Sequence, residues 1–95
     1  MQPTSPADGL LVRTREIIAE RRETYGPPAE HFSRTVGAIN AIFGHKLREP
    51  LTSADWAAIM ILDKLARHQG TAKTGDNMID GAGYFACMAE VEAGE

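Results

Sequence analysis

The stretch Thr52-Ser53-Ala54-Asp55-Trp56-Ala57-Ala58-Ile59-Met60-Ile61-Leu62-Asp63-Lys64-Leu65-Ala66-Arg67-His68 decides the fold class. It opens on a threonine with an acid three residues on, which marks a capped helix start. Trp56, Ile59 and Met60 occupy one side of its helical wheel, and Ala58, Ile61, Leu62 and Leu65 occupy the rest. A helix apolar nearly all round is a buried one. The segment, running to about His68, is therefore expected to be the central element of an all-α domain.

The flanking chain fits the same class. Residues 69–75 read as a polar loop, and a further helix runs from about Asp76 to Glu92, with Met78, Ile79, Ala82, Phe85, Ala86 and Ala89 forming a broad apolar arc. Upstream, residues 45–51 are a polar connection containing Pro50. Before it, Phe32, Val36, Ile39 and Phe43 form one stripe on a helix from about Pro28 to Phe43, with Gly44 placed to end it. Ser5, Pro6 and Asp8 supply a capping hydroxyl, a first-turn proline and an acid at the start of another helix. It carries Leu10, Leu11, Ile17 and Ile18 on one side and stops at Gly26-Pro27-Pro28. No segment alternates with period two and no repeat is visible. The expectation is a flexible tail over 1–5 and a single helical domain over 6–95, built as a four-helix bundle or a pair of hairpins.

Composition bounds the function. A chain of 95 residues with 6% aromatics has a light core, and small domains of that kind are often completed by a second subunit. A homo-oligomer is expected. A net charge of −3 gives no electrostatic footprint for duplex nucleic acid. The single cysteine, Cys87, excludes an internal disulfide. The start lacks the regions of a signal peptide, and no apolar run approaches the roughly 18 residues of a membrane span. These features predict a cytoplasmic protein, not a membrane one.

The charges of the two C-terminal helices draw attention next. Asp63 and Arg67 stand four residues apart and can pair, which leaves Lys64 needing an acid or an anion from elsewhere, since an unpaired buried charge is strongly destabilising. Asp76, Asp80, Gly83 and Cys87 share one line of the last helix, and Asn77 and Tyr84 continue its polar side. That helix also holds Gly81 and Gly83, each costing about 1 kcal/mol against alanine, so either another backbone or a ligand is expected to approach there. Two readings stand open. In one, Lys64 with Asp76 or Asp80, together with Asp63–Arg67, is a structural ion network. In the other, Lys64 and Arg67 hold phosphate oxygens, Asp76 and Asp80 hold Mg²⁺ or the polar edges of a nucleotide, Tyr25 and Tyr84 supply stacking or hydroxyl contacts, and His31 lines the site beside Tyr25.

Other groups read as bland. Glu16, Glu20 and Glu23 form a solvated acidic face, and Arg13, Arg15, Arg21 and Arg22 provide surface pairs of little worth. His45 and His68 show no metal spacing, and Cys87 is a small core residue. The loop Gly70–Gly75 precedes a helix N-terminus, which favours anions, but it lacks the glycine spacing of a phosphate loop.

Taken together, Arg22-Glu23-Thr24-Tyr25-Gly26, His31-Phe32, Leu51-Thr52, Asp63-Lys64-Leu65-Ala66-Arg67 and Asp76-Asn77-Met78-Ile79-Asp80-Gly81-Ala82-Gly83-Tyr84 resemble an uncharacterised family of short proteins encoded by bacteriophages and prophages. More remotely, the basic helix followed by Asp76-x-x-x-Asp80 is similar to the last helices of MazG-type nucleotide pyrophosphohydrolases. Those are all-α oligomers that use clustered carboxylates and Mg²⁺ to cleave nucleoside triphosphates. Here their paired-glutamate helix is missing, or reduced to Glu20 and Glu23. The resemblance implies a binder of a nucleotide or another phosphorylated small molecule, with Mg²⁺ as the cofactor if it is a hydrolase. The alternative is a non-enzymatic interaction module, a small phage inhibitor of a host factor, whose polar network is structural.

Overall fold

The first helix, α1 (Pro6–Tyr25), begins where the sequence places it: the Ser5 side chain accepts a hydrogen bond from the Asp8 N–H at 3.1 Å and Pro6 follows it. This is a computed structural model, and it describes residues 5–70 and 75–94. The helix stops at Gly26, whose φ of +77° lies in the left-handed region that a side chain would strain. The Gly26 N–H still reaches back to the Arg22 carbonyl at 2.9 Å. Pro27 then caps the next helix and Pro28 opens it as α2 (Pro28–Phe43), a position where the missing N–H costs nothing.

α2 ends at Phe43 with Gly44 as its C-cap, as expected. The φ and ψ of Gly44 remain helical, and residues Gly44–Lys46 form one tighter turn, closed by the Leu47 N–H on the Gly44 carbonyl at 3.1 Å. The following connection is held by Asn40 of α2. Its side-chain amide donates to the Leu51 carbonyl at 3.0 Å and its oxygen accepts from the Leu51 N–H at 2.8 Å. That fixes the chain just before the next helix, α3 (Ser53–Gln69). There a reciprocal cap forms: the Asp55 N–H donates to the Thr52 hydroxyl at 3.1 Å, and the Thr52 N–H donates to the Asp55 carboxylate at 2.9 Å. The last helix, α4, runs Gly75–Gly94. The weak phosphate-loop candidate lies mostly in residues 71–74, and the tail in residues 1–4, both outside the described residues.

The fold class is all-α, with four helices and no strand among the described residues. The central element, however, is α4 and not α3. α4 packs most extensively along α3 and also against α1 and α2, whereas α1 and α3 do not pack directly on each other. The core is small: Phe32 of α2, Ala57 of α3 and Val91 of α4 meet at its centre, with Trp56, Tyr84 and Met88 packed around them. Lys64 meets Asp80 close to the connection, while Ala57 shares the core with Val91 further away, so α3 and α4 form an antiparallel hairpin.

Two expectations of burial fail. On α3, Ile59, Leu62 and Leu65 are exposed, Leu62 by 63%. Apolar content all round a helix signals burial only when something covers every side, and within one chain α4 and α2 cover α3 from one side. On α1, Leu11 is exposed and Leu10, Ile17 and Ile18 are only half-buried, and its one buried residue is Thr14. The Thr14 hydroxyl is satisfied by the Leu10 carbonyl at 2.7 Å, so it buries without an orphaned polar group.

Candidate functional site

Helical spacing assembles a cleft. On α1, Thr14, Ile17, Ile18, Arg21 and Tyr25 recur at intervals of three, one, three and four, which sets them on one face. On α4, Ile79, Asp80, Gly83, Tyr84 and Cys87 do the same. Where these faces approach, with His31 and Phe32 of α2 and Lys64 of α3 at the sides, a cavity of about 150 Å³ opens. The left-handed Gly26 and the two prolines bring His31 back over Tyr25, their ring centroids 6.3 Å apart. His31 meets Phe32 edge-on at 4.8 Å, and Phe32 stacks on Tyr84 at 6.2 Å. A series of four rings thus runs from the end of α1 to the middle of α4.

The charges divide sharply between paired and unpaired. Lys64 Nζ lies 3.4 Å from Asp80 Oδ2, with both side chains mostly buried. Arg22 is paired with Glu90 at the far end of α4. Arg21 has no carboxylate within ion-pairing distance among the described residues. Its charge is felt across the cleft. Burial, then Arg34 and Arg21, lower the pKa of His31 below its ordinary value. Burial pushes the Tyr84 hydroxyl and the Cys87 thiol up, and Arg21 opposes both shifts. The imidazole, phenol and thiol are therefore neutral near pH 7, and Arg21 is the cationic lining group that no carboxylate pairs among the described residues.

Of the residues singled out from sequence, Lys64, Asp80, Tyr84, Tyr25 and His31 come together in this cleft. The others do not. Arg67 pairs with Asp63 at 3.1 Å on an exposed stretch of α3. Asp76 is exposed at the start of α4, and Asn77, half-buried, is not among the residues that line the cleft. The Lys64–Asp80 and Asp63–Arg67 pairs are those expected from spacing; the meeting of Asp76 and Asp80 with Arg67 is not found.

This arrangement does not fit a resident metal. A Mg²⁺ ion at Asp76 and Asp80 would have to displace Lys64 from Asp80 and would find Asp76 in open solvent. Among the described residues no three His, Cys, Asp or Glu side chains are grouped to hold an ion. Asp80 is also the only carboxylate among the described residues that line the cleft.

The glycines of α4 take on a definite meaning. A methyl group built at Gly81 or Gly83 meets nothing within 4 Å, so no neighbouring backbone requires either glycine. Gly83 lines the cleft and Gly81 does not. What sequence reasoning missed is on α1. Arg21 and Arg22 read as surface arginines, yet Arg21 stands one turn before Tyr25 and one turn after Ile17, on the face that closes the cleft. That register was the available signal.

Residues 9–92 match the family described as Domain of unknown function (DUF6378), and the chain belongs to that family. It is also similar to the Gene 55 protein of Mycobacterium phage D29, at 36% identity over 86 residues that make up 90% of this chain and 54% of the relative. The chain therefore spans about half the length of that curated relative. A phage relative agrees with the family expected from the sequence motifs. No solved structure matches.

Proposed function

We propose that the cleft between α1 and α4 binds a small phosphorylated molecule, a mononucleotide or a compound of similar chemistry, and that it does so without cleaving it. The observation that supports this is the unpaired Arg21 guanidinium at the edge of a cleft walled by stacked rings. A planar fork of donors suits phosphate oxygens, and aromatic walls suit a planar apolar group. The size sets a limit. About 150 Å³ is below the roughly 300–1,000 Å³ of sites that enclose drug-sized ligands. One ring fits inside against Tyr84 and Phe32, which leaves the phosphate at the rim beside Arg21.

Nucleotide pyrophosphohydrolysis of the MazG type is not part of the proposal. Two-metal phosphate chemistry needs a cluster of carboxylates, and the cleft offers Asp80 already engaged by Lys64. The reading as a protein-interaction module draws on a different surface, the exposed faces of α3 and α4.

A thermal-shift series tests the binding reading. A nucleoside, inorganic phosphate, and mono-, tri- and cyclic nucleotides are compared, because a ligand of the folded state at a hundred times its Kd stabilises by about 2.7 kcal/mol. A mononucleotide should raise the melting temperature more than a nucleoside or phosphate alone. Arg21→Gln should weaken that ligand roughly tenfold or more while leaving the free protein's melting temperature unchanged, since a charge-assisted hydrogen bond contributes about 1.5–3 kcal/mol. No shift with any compound, or equal shifts in Arg21→Gln, overturns the proposal.

A further inference from the structure

The exposed apolar residues of the hairpin form a set. Ile59, Leu62 and Leu65 of α3 and Met78 and Phe85 of α4 are each between 41% and 63% exposed. Lys64 opposite Asp80 fixes the antiparallel register, so Ile59 stands level with Phe85, and Leu65 level with the first turns of α4 that carry Met78. Along α3 the series Ile59, Leu62, Ala66, and along α4 the series Met78, Ala82, Phe85, Ala89, step by alternating threes and fours. That spacing makes a seam for another helix. No charged residue interrupts either series.

The size of the uncovered surface can be weighed. A compact monomer of 10.3 kDa exposes about 5,400 Å² by the scaling of folded monomers, whereas this chain exposes 6883 Å². The excess, about 1,500 Å² over the whole chain, leaves room for the roughly 800 Å² that each partner contributes to a standard interface. The radius of gyration, 14.8 Å, likewise exceeds the about 12 Å of a compact chain of this length. Meanwhile Phe32, Val36, Ala57 and Val91 are the buried hydrophobic residues among those described, few for a domain that must fold alone. The cover has to be present whenever the chain is folded, and a seam without charges carries no pattern that selects a different partner.

We infer that a second copy of this chain covers the α3–α4 face, in a symmetric dimer formed through Ile59, Leu62, Leu65, Met78 and Phe85. Sedimentation equilibrium of the full chain should return twice 10.3 kDa, and the double variant Leu62→Glu/Phe85→Glu should weaken self-association at least a hundredfold. Ile42→Glu, at an equally exposed position on α2, should leave it unchanged. Should the double variant not fold, hydroxyl-radical footprinting of the unaltered chain reads the face directly. Met78 and Phe85 are then protected at high protein concentration and modified on dilution, while Phe43 of α2 reacts equally in both. A mass of one chain at every concentration overturns the inference in favour of a different protein as the cover. A dimer that survives the double variant, or that leaves Met78 and Phe85 unprotected, overturns the assignment to this face.

Discussion

Gly83 occupies a helix interior in which alanine would be better by about 1 kcal/mol, and nothing within 4 Å stands in the way of the missing methyl. Gly81 shares both properties but lies outside the cleft lining. The pair is thus a natural control. Gly83→Ala and Gly81→Ala should each stabilise the fold by roughly 0.5–1 kcal/mol, read as a higher urea midpoint, but only Gly83→Ala should weaken the ligand, because its methyl enters the cleft. Equal effects of both on binding would remove Gly83 from the site. His31 supplies a second test. Burial and the arginines Arg34 and Arg21 hold its pKa below the ordinary 6.5, so the unfolded chain takes up a proton first as pH falls. The contribution of His31 to stability is full above pH 6.5 and is lost as pH falls through the folded value. The urea midpoint should therefore drop between pH 7 and pH 5, and His31→Gln should flatten that part of the profile. A bound phosphate beside the ring reverses the sign for affinity: binding should strengthen over the same interval.

At the scale of elements, the ends of the helices were legible and their burial was not. Ser5–Asp8, Thr52–Asp55 and Gly26-Pro27-Pro28 act over three or four residues, and local hydrogen bonding determines them whatever the rest of the chain does. The pairing of Asp63 with Arg67 is local in the same way. The meeting of Lys64 with Asp80 was read from an unmet charge and a line of acids, and the hairpin register bears it out. Arg21 was missed because α1 carries charges on several sides, and no spacing rule says which side α4 will meet. Asn40, tying the 3₁₀ turn and its connection to α2 through Leu51, had no signal at all. The Lys64–Asp80 pair also separates structure from ligand binding. Lys64→Met leaves the half-buried Asp80 carboxylate alone and should destabilise by about 1–3 kcal/mol, whereas Lys64→Met with Asp80→Leu should recover most of that loss. A double-mutant cycle in urea measures the coupling; additive losses would mean that the pair does not hold the hairpin.

The whole molecule presents two surfaces that differ in kind. One is the cleft, cationic at the rim and aromatic within, on the side where α1 crosses α4. The other is the apolar seam of α3 and α4, read first as the mark of a buried helix. Within the chain Ile59, Leu62 and Leu65 of α3 stay exposed. Membership of the DUF6378 family and a phage relative of which the match covers 54% assign neither surface a task, so the task has to be measured on the molecule. No helix among the described residues is long and apolar enough to cross a membrane. Amide chemical-shift mapping of the uniformly ¹⁵N-labelled chain, titrated with a mononucleotide, tests the central claim most directly. The account predicts saturable shifts at Arg21, His31, Gly83 and Tyr84, with Ile59 and Leu62 unmoved; shifts confined to α3, or none at millimolar nucleotide, would contradict it.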